Sequence, residues 1–431
     1  MDMHHHATAA IISIGDELTL GQTLDTNSKW LSDQLVTMGI VPVEHVTVPD
    51  DLDAHVATLL RLANKVDVIV CSGGLGPTQD DLTRDALAKA MGDTLIEDPI
   101  ALSQVEAWYT SRGRVMSANN RLQALRPTRG LVMQNLHGTA PGIAGRIGNC
   151  DVFCLPGPPK EMFPMFEQGV VPRLRLQAGR TMMTRVLHTF GVAESDLAMR
   201  LGDLMKRDAN PLVGTTASGG VVSIRMRYEG SLTPIEAGQV LDSVERTCRD
   251  VAGQFIFGSE KETLASVVVG MLRAQKQTLG TVESCTGGLL GAYLTEIPGS
   301  SAAFIGGLVT YTNELKTQLA HLDAANFAEG GPGAVSRETA SAMAMGGLRT
   351  LGCDHAIAIT GIAGPDGGSA AKPVGLVYIA RASRSDSEVD VRGFKMIGDR
   401  QNVREWSART AMAMLWQKLS GLPSVRMLRE A

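Results

Sequence analysis

The apolar residues in the first third of the chain alternate between two patterns. Short apolar runs, which predict buried strands, alternate with stretches whose apolar residues recur at helical spacing. We predict strands at 9–14, 41–48, 66–71 and 152–155, and helices at 27–38, 55–63 and 161–166. Strand–helix alternation of this kind predicts a mostly parallel sheet covered by helices on both faces.

The pattern changes near Arg180 and changes back near Thr263. The middle stretch predicts a small α+β unit, with strands at 185–190 and 221–228 and helices at 194–204 and 234–251. The last stretch predicts an α/β sandwich, with strands at 278–283, 307–311, 355–360 and 375–380 and helices at 263–274, 286–296, 337–350 and 401–418. We therefore predict an α/β protein with three domains, at 8–172, 173–257 and 258–424.

The composition is that of a globular protein with more than one core. The chain has 431 residues, and hydrophobic residues make up 44% against 20% charged, which suits two or three packed domains. It holds 47 glycines, and only 4% of its residues are aromatic. This combination indicates many tight turns and close backbone approaches, as in folds that bind phosphates through main-chain amides.

Charge and hydropathy set the expected location and partners. The formal net charge is −5, and no run of Lys or Arg predicts a nucleic-acid groove. No apolar stretch reaches membrane-spanning length and no signal-peptide core is found, so we expect a cytoplasmic protein with neither nucleic-acid nor membrane partners. The His4–His6 run could bind a metal, although a tag remnant or a frayed end is the better interpretation.

Six cysteines are scattered along the chain. Cys150 and Cys154 lie in a predicted strand, where four residue steps separate their sulfurs by about 13 Å. That distance is too long for the two sulfurs to share one metal ion. We interpret the cysteines as buried or incidental thiols, which is consistent with a reducing compartment.

A glycine-rich turn follows the third predicted strand. Gly73, Gly74 and Gly76 stand between that strand and a helix, where bare amides and a helix N-terminus can face an anion. Asp80 and Asp81 would repel a phosphate unless a divalent cation such as Mg²⁺ lay between them. The alternative is a tight turn with an N-capped helix and no ligand.

A serine in the last unit stands where a predicted strand passes into a helix. Ser284 would be exposed there beside amides that can hold an oxyanion, although most such serines only cap helices. A Ser-His-Asp arrangement is poorly supplied, because the histidines of this unit are His321 and His355, and His355 begins an apolar strand. Tyr311 and Lys316 offer a different base, although each alone is typical of a strand-end aromatic and a solvated lysine.

Short motifs are spread over nearly the whole chain. In the first unit these are IGDEL at 14–18, Gly21 with DTN at 25–27, GGLGPT at 73–78, DDLT at 80–83, GTAPG at 138–142 and LPGPPKEM at 155–162. In the last unit they are ESCTGG at 283–288, VTY at 309–311 with Lys316, GAVS at 333–336, TGIAGP at 360–365 and GDR at 398–400. The combination of motifs is specific, and it resembles the CinA family of competence/damage-inducible proteins.

The resemblance implies a fold and an activity for the first unit. In CinA proteins this domain is similar to the three-layer molybdopterin-binding fold of MoaB, MogA and gephyrin, and it is associated with hydrolysis of ADP-ribose to AMP and ribose 5-phosphate. The implied enzyme is a pyrophosphatase with a divalent metal near Asp80, Asp81 and Glu161. Asp81 and Asp50 match two aspartates of the pterin-binding proteins.

For the last unit the resemblance implies an α/β/α sandwich of the PncC type, a nicotinamide mononucleotide (NMN) deamidase that requires no cofactor. Ser284, Tyr311 and Lys316 match the set held to carry its chemistry. Turn amides are then expected to hold the oxyanion, and a second glycine-rich strand end with an arginine to hold the ligand. These expected binding residues are Thr286, Gly287, Gly288, Thr360, Gly361, Gly364 and Arg400.

Three further features bear on the resemblance. The middle unit is similar to the KH-like domain of full-length family members, but Gly219 and Gly220 without a basic cluster favour a spacer or dimerisation role, and the family suggests a homodimer. The stretch 321–331 is longer and more glycine-rich than usual, which could alter access to the pocket. Cys285 beside Ser284 is either a competing nucleophile or an inward-packed thiol.

Three functional hypotheses remain. The first is an enzyme of pyridine-nucleotide recycling that joins an NMN amidase to an ADP-ribose pyrophosphatase, with these two nucleotides as small-molecule partners. The second is a non-catalytic pterin- or nucleotide-binding protein that acts through other proteins. The third is a DNA-uptake or recombination accessory, against which the acidic balance of the chain argues.

Overall fold

The computed structural model describes residues 5–177 and 179–431. The chain divides into two compact units: residues up to 183 together with 228–238, and residues 184–227 together with 239–431. Most of the predicted middle domain therefore packs with the C-terminal sandwich rather than standing alone. Within the described ranges, no helix is both long enough and apolar enough to cross a membrane.

A sheet with helices on both faces forms the first unit. Its strands are β1 (Thr8–Ile14), β2 (Val41–Val48), β3 (Val68–Ser72), β4 (Leu95–Glu97), β5 (Leu125–Pro127), β6 (Leu131–Met133), β7 (Gly142–Ile147) and β8 (Cys150–Leu155). Its helices are α1 (Asp16–Thr19), α2 (Asn27–Thr37), α3 (Leu52–Ala63), α4 (Thr83–Ala90), α5 (Pro99–Thr110) and α6 (Pro159–Met165). The main sheet has the order β2-β1-β3-β8-β7-β6, in which the first four strands are parallel and the β8–β7 and β7–β6 pairs are antiparallel, while β4 and β5 pair in a separate two-stranded sheet.

The two faces of this sheet bury different side chains, because successive strand residues point in opposite directions. Ile11 of β1 packs with Leu31 of α2 on one face, where α6 also lies. Ile12 packs with Leu59 of α3 on the other face, beside α4. The predicted three-layer arrangement is confirmed.

The start of the described chain is packed rather than frayed. His6 is buried, and its Nε2 lies 3.1 Å from a carboxylate oxygen of Asp151. Its Nδ1 accepts a hydrogen bond from the Arg175 amide at 3.1 Å. The prediction of a frayed end is therefore wrong at His6, because these buried contacts hold it, and His4 lies outside the described residues.

The cysteines are all free and buried, as predicted. Cys71 and Cys154 are neighbours on the adjacent strands β3 and β8. Burial raises the pKa of the Cys150 thiol to about 12. A buried thiol that stays protonated is a poor nucleophile and a poor metal ligand, so these cysteines serve the core.

The middle unit is a four-stranded sheet with two helices. Its elements are β9 (Thr181–Phe190), α7 (Glu194–Leu201), β10 (Leu212–Ser218), β11 (Val221–Gly230), α8 (Pro234–Ala252) and β12 (Ile256–Ser259). The strand order is β10-β11-β9-β12, and both the β10–β11 and the β9–β12 pairs are antiparallel. Gly219 and Gly220 form the tip of the β10–β11 hairpin, and both have positive φ.

The C-terminal part is a second α/β/α sandwich. Its strands are β13 (Leu279–Glu283), β14 (Phe304–Val309), β15 (His355–Gly361), β16 (Leu376–Ser383) and β17 (Asp390–Lys395). Its helices are α9 (Leu264–Gln275), α10 (Leu289–Thr295), α11 (Asn313–Ala320), α12 (Arg337–Leu351) and α13 (Arg400–Leu419). The sheet order is β14-β13-β15-β16-β17, in which β14, β13 and β15 are parallel and the β15–β16 and β16–β17 pairs are antiparallel.

Helices cover both faces of this sheet. Helices α9, α10 and α13 pack on one face around Ile357 and Ile359 of β15. Helix α12 and the end of α11 pack on the other around Val282 of β13 and Ala358 of β15. Parallel strands β14, β13 and β15 end at the same edge, which brings the loops that follow them together.

Two candidate active sites

In the first unit, the predicted glycine turn lies at the end of β3. Gly73 and Gly74 both have positive φ. A Cβ on Gly73 would lie 2.5 Å from the Ile14 carbonyl oxygen, and a Cβ on Gly76 would lie 2.4 Å from an Asp81 carboxylate oxygen. Gly73 must therefore be glycine where it meets the end of β1, whereas at Gly76 the contact is with the Asp81 side chain.

The two predicted aspartates of this turn face different surroundings. Asp81 accepts hydrogen bonds from the amides of Gly76, at 2.7 Å, and Thr78, at 2.8 Å, so its carboxylate braces its own turn. Asp80 is exposed, and the nearby Thr78 side chain, whose hydroxyl donates to Asp81, lowers the pKa of the Asp80 carboxyl group. Asp80 is thus the freer of the two to meet a ligand.

A cleft of about 400 Å³ opens beside this turn. Five carboxylates line it and, in the described part of the chain, no Lys, Arg or His does; these carboxylates belong to Glu17, Asp50, Asp80, Asp81 and Glu161. Burial and the neighbouring charges of Asp16, Asp80 and Glu17 raise the pKa of Asp50. The cleft is therefore strongly negative.

The cleft walls are held by two side chains for which the sequence predicted no role, although Asn27 stands in the 25–27 motif. Asn27 donates 2.8 Å hydrogen bonds to Ser72 Oγ and to the Gly157 carbonyl, which joins the turn after β3 to the turn after β8. The buried Arg84 donates to the carbonyls of Leu75 and Gly76 at 2.8 and 2.7 Å. Motif spacing gives no sign of these contacts.

The predicted metal residues border one cleft, but they do not form a finished metal site. Among the residues that the structure describes, no three His, Cys, Asp or Glu side chains converge as a metal-binding group. Glu161 instead accepts a 2.9 Å hydrogen bond from Asn135. Carboxylate oxygens suit a hard cation such as Mg²⁺, which commonly takes one or two carboxylates and completes its shell with water and substrate phosphate, so this donor set fits such an ion.

The second site lies at the C-terminal edge of the other sheet, where Ser284 follows β13. The Ser284 amide donates to the Ile359 carbonyl at 3.0 Å, which fixes the serine beside β15. Gly287 and Gly288 have φ of 61° and 94°, conformations that other residues rarely adopt. The chain therefore turns for several residues before α10 begins at Leu289, later than predicted.

Ser284 and Lys316 form a buried pair. Lys316 Nζ lies 3.2 Å from Ser284 Oγ and donates to the Thr310 carbonyl at 2.9 Å. The lysine is 1% exposed, and burial lowers the pKa of its ammonium group. A desolvated amine in contact with a hydroxyl can accept its proton, which is the arrangement of Ser-Lys hydrolases.

Tyr311 lies apart from this pair. Its ring is half exposed, and its hydroxyl accepts a 2.7 Å hydrogen bond from Arg400. Arg400 also donates to the Gly364 carbonyl at 2.7 Å. The predicted direct contact between Tyr311 and Lys316 is not formed. Arg400, predicted to bind a phosphate, is exposed and is hydrogen-bonded both to Tyr311 and to the loop at Gly364.

The turn amides are used differently from the prediction. The Gly287 amide donates to the Ser284 carbonyl, and the Gly288 amide donates to the Glu283 carboxylate, both at 3.0 Å. Neither can hold an oxyanion without giving up that bond, so this part of the prediction is wrong. The amides of Cys285 and Thr286 donate to no backbone carbonyl within the described residues and are the available donors.

The predicted ligand contact of Thr360 is also corrected. Thr360 is fully buried, and its hydroxyl donates to the Ala334 carbonyl at 2.6 Å. It joins the end of β15 to the turn before α12 and has no face open to a ligand. Gly361 is needed because a Cβ there would lie 2.8 Å from the Leu376 carbonyl oxygen.

Two charged residues hold the serine turn and were not predicted. Glu283 is buried, and its carboxylate accepts hydrogen bonds from the amides of Gly288, Leu290 and Gly291 at 3.0, 3.0 and 2.8 Å. On the opposite side, Arg404 of α13 donates to the Thr286 carbonyl at 2.8 and 3.3 Å. Glu283 stood in the quoted motif, but Arg404 carries no local signal.

The structure answers whether Cys285 is a competing nucleophile and whether His355 plays a structural part. Cys285 is buried, and burial raises its pKa to about 12, so it packs inward. His355 is buried between Ser383 and Gln277, to which it is hydrogen-bonded at 2.8 and 2.9 Å. Burial lowers the pKa of this histidine. The expected structural part for His355 is confirmed.

The long segment 321–331 is compactly folded. A short 3-10 turn at Ala324–Phe327 places Phe327 against the α12 side of the core. The Gly333 amide donates to the Asn326 carbonyl at 2.8 Å, and Lys372 Nζ donates to the Pro332 carbonyl at 2.8 Å. The segment is thus tied to the 364–374 loop, and its effect on access stays a prediction.

These features define a two-unit α/β protein with a carboxylate-lined cleft in one unit and a buried Ser-Lys pair in the other. Three family models match the chain. They are the probable molybdopterin binding domain at residues 10–176, the damage-inducible protein CinA KH domain at 184–258 and the CinA C-terminal domain at 261–419. The chain belongs to the CinA family.

Two relatives of similar length support this membership, and one solved structure matches part of the chain. The chain is 41% identical over 414 residues to a protein of Moorella thermoacetica that carries the name competence-damage inducible protein, covering 95% of this chain and 98% of the relative. A CinA-like protein of Synechococcus sp. is 39% identical over 412 residues, covering 95% and 97%. A solved structure, the competence/damage inducible protein CihA from Agrobacterium tumefaciens, is 42% identical with a TM-score of 0.35 and covers 36% of this chain and 93% of that one.

Proposed function

We propose that the C-terminal site is a serine amidohydrolase that converts NMN to nicotinate mononucleotide and ammonia. The observation that carries this proposal is the 3.2 Å contact between Lys316 Nζ and Ser284 Oγ, both buried at the end of β13. Burial lowers the lysine pKa and so enlarges the neutral fraction that can act as a base. The substrate class comes from the resemblance to PncC-type deamidases.

The reaction divides into two acyl-transfer steps. Neutral Lys316 accepts the Ser284 proton while Oγ attacks the carboxamide carbon, and the amides of Cys285 and Thr286 donate to the oxyanion. The Lys316 ammonium then protonates the departing nitrogen, so ammonia leaves and a serine ester remains. Water, deprotonated by Lys316, attacks the ester, and the proton returns to Ser284 as the carboxylate product is released.

Tyr311 is assigned to substrate binding in this scheme rather than to the proton relay. Its hydroxyl and the Arg400 guanidinium are joined at 2.7 Å in an exposed position. A planar guanidinium suits two phosphate oxygens. Arg400 and Tyr311 are therefore the side chains proposed to meet the nucleotide's phosphate, and their loss should raise KM more than it lowers kcat.

Ammonia release from NMN by the full chain, without added metal, tests this proposal. Ser284→Ala and Lys316→Met should each lower kcat by about 10³-fold or more, because nucleophile and base act as a unit. Ser301→Ala and Lys261→Met, at exposed positions of the same unit, are matched controls and should retain the rate. Wild-type release with an unchanged rate in Ser284→Ala would exclude the mechanism.

For the first unit we propose a metal-dependent ADP-ribose pyrophosphatase. Its support is the cleft lined by five carboxylates and, among the described residues, by no cationic side chain. A diphosphate carries negative charge into this cleft only when a cation accompanies it. When bound, a divalent ion would neutralise that charge and polarise a phosphoryl oxygen. Asp50, Asp80 and Glu161 are the residues proposed to hold it.

In this cleft the chain's own groups bind and orient the substrate. The turn of Gly73, Gly74 and Gly76 brings backbone close to the ligand without side chains in the way. Asn27 keeps this turn and the Gly157 turn at a fixed separation. AMP formation from ADP-ribose with Mg²⁺ or Mn²⁺ tests the proposal, and Asp80→Asn should lower it. If no divalent ion yields AMP, the unit binds nucleotide or pterin without catalysis.

A further inference from the structure

The peptide that joins Thr286 to Gly287 is held at both of its polar ends. Its carbonyl accepts two hydrogen bonds from Arg404, and its N–H donates to the Ser284 carbonyl at 3.0 Å. This peptide is joined to the Thr286 amide through the Thr286 Cα, so holding it limits the φ and ψ rotations that could turn that amide and the Cys285 amide before it. Arg404 thus acts on the two donors proposed for the oxyanion without touching the substrate.

Arg404 belongs to α13, and the next turn of that helix carries a different set of contacts. Arg409 Nη1 donates to the Gly219 carbonyl at 2.9 Å, at the tip of the β10–β11 hairpin. Gly220 lies on the ring of Trp406, where a Cβ would come within 2.8 Å of two ring carbons. A KH loop that clamps nucleic acid needs its glycines free for the backbone; here they are engaged with a helix.

Trp406 is enclosed by groups from three parts of the chain. The Arg429 guanidinium lies 3.8 Å from its ring centroid, and the Phe190 ring of β9 lies 5.9 Å away. Gly220 closes a third side. An arginine stacked on tryptophan and a ring packed at this distance each contribute to holding the indole in place. The tip of the β10–β11 hairpin therefore packs against α13 through specific contacts.

The contacts of Arg404 with the serine turn and those of Trp406 and Arg409 with the hairpin tip lie close together along α13. Arg404 and Arg409 are five residues apart, or about 7.5 Å of helix at 1.5 Å per residue. A displacement of α13 at Trp406 therefore moves Arg404 relative to the Thr286 carbonyl. Small misplacements of this kind in an active site can change rates by about 10²-fold.

We propose that Arg404 is a positioning residue for the Ser284 site, and that the hairpin tip of the middle unit braces the helix that carries it. The middle unit then has a specific task in the C-terminal reaction beyond that of a spacer. This inference rests on the proposed amidase function for its kinetic consequences. Its structural claim concerns only the turn at 284–288, α13 and the hairpin.

Kinetics of the full-length chain give the first test. Arg404→Ala should lower kcat for NMN by about 10- to 100-fold with KM within about threefold, because the lost contact orients oxyanion donors. Arg404→Lys, a point charge that cannot donate from two positions to one carbonyl, should fall in between. A change in KM alone, or no change, would overturn the positioning role.

The hairpin is tested by Gly220→Ala, which places a methyl group against Trp406. It should lower kcat by about 3- to 30-fold, the lower part of the range expected for a small active-site misplacement. Gly148→Ala is the matched control, since Gly148 also has positive φ at a hairpin tip but a Cβ there meets nothing within 4 Å. Arg409→Met, which removes the bond to Gly219 and leaves the hairpin sequence intact, covers the case in which Gly220→Ala misfolds.

A double variant decides whether the hairpin acts through Arg404. If it does, Gly220→Ala combined with Arg404→Ala should be no slower than Arg404→Ala alone, whereas independent effects would multiply. Hydrogen exchange of residues 284–291 gives a readout that needs no activity. Faster exchange in both single variants supports the brace even if the wild type does not act on NMN, and unchanged exchange overturns it whatever the substrate.

Discussion

Replacing Glu283 by glutamine isolates the contribution of one buried carboxylate to the serine turn. The carboxylate accepts three backbone hydrogen bonds, from Gly288, Leu290 and Gly291. Glutamine keeps the shape but offers one acceptor oxygen, and its NH₂ group would face at least one of these N–H donors. The change therefore removes a charge, weakens two bonds and leaves one buried donor unpaired.

The magnitude follows from these bonds. Hydrogen bonds to a charged group contribute about 1.5–3 kcal/mol against about 1 kcal/mol for neutral ones, and an unpaired buried donor costs about 1–3 kcal/mol. We expect Glu283→Gln to lower the local opening free energy at residues 288–291 by about 3 kcal/mol, which corresponds to about 10²-fold faster amide exchange. The amidase kcat should fall with it, because the Gly288 peptide is part of the Ser284 turn.

Hydrogen exchange with mass spectrometry on the full chain measures this effect. Glu296→Gln, at the C-terminal end of α10, is the matched control. Glu296 is exposed, and its side chain makes no hydrogen bond within the described residues. Exchange at 288–291 that stays within about threefold of wild type in Glu283→Gln would refute the assignment of the carboxylate as the anchor of this turn.

Four further outcomes are expected. Because the base form of Lys316 is the active one and burial lowers its pKa, the amidase rate should rise with pH through a midpoint below the ordinary lysine value of about 10.4; a midpoint at or above that value in a pH–rate profile would contradict this role. EDTA should abolish AMP formation from ADP-ribose and leave ammonia release from NMN unchanged, as scored by chromatography of both products. Cys285→Ala should retain the amidase rate within about threefold, since its buried thiol has a pKa of about 12; a loss as large as that of Ser284→Ala would make the cysteine the nucleophile. His6→Ala should destabilise the first unit by about 1–3 kcal/mol in denaturant unfolding, because it removes the imidazole contacts with Asp151 and with the Arg175 amide, while Arg175 still pairs with Asp151; an unchanged midpoint would show that these contacts contribute little.

Buried strands were the most predictable elements of the fold. The apolar runs at 9–14 and 355–360 match β1 (Thr8–Ile14) and β15 (His355–Gly361) except for one residue each, because strands covered on both faces are apolar throughout. The strand predicted at 41–48 matches β2 (Val41–Val48), although β2 is an edge strand whose residues alternate in exposure. Helix α5 (Pro99–Thr110) and strand β10 (Leu212–Ser218) were not predicted. Each exposes about half of its residues, so its apolar pattern is weak.

The sites were predictable only where chemistry is concentrated in a motif. Ser284 and Lys316 are 32 residues apart, and the resemblance rather than spacing paired them. Tyr311 was assigned to the same pair, but it follows the fully buried Thr310 and is itself half exposed. Successive residues of an extended segment face opposite sides, so neighbours in sequence could not share this site.

Contacts between segments that are distant in sequence could not be predicted from the sequence pattern. Arg404 reaches Thr286 across 118 residues, and Asn27 reaches Gly157 across 130. Both side chains lie in helices, and although Asn27 stands in the 25–27 motif, neither the motif nor the spacing predicts its partner. Their roles depend on strand ends being assembled at one edge of a sheet, which is a property of the finished fold.

The division of the chain into units has a practical consequence for assigning its activities. The backbone crosses from one unit to the other three times, after residues 183, 227 and 238, so a single cut anywhere leaves at least one unit missing a stretch of its own sequence. Fragments made by such a cut would expose surfaces that the intact molecule covers and could lose activity for reasons unrelated to catalysis. Point variants that inactivate one site at a time keep both units whole. They are therefore the better way to assign each reaction to one unit.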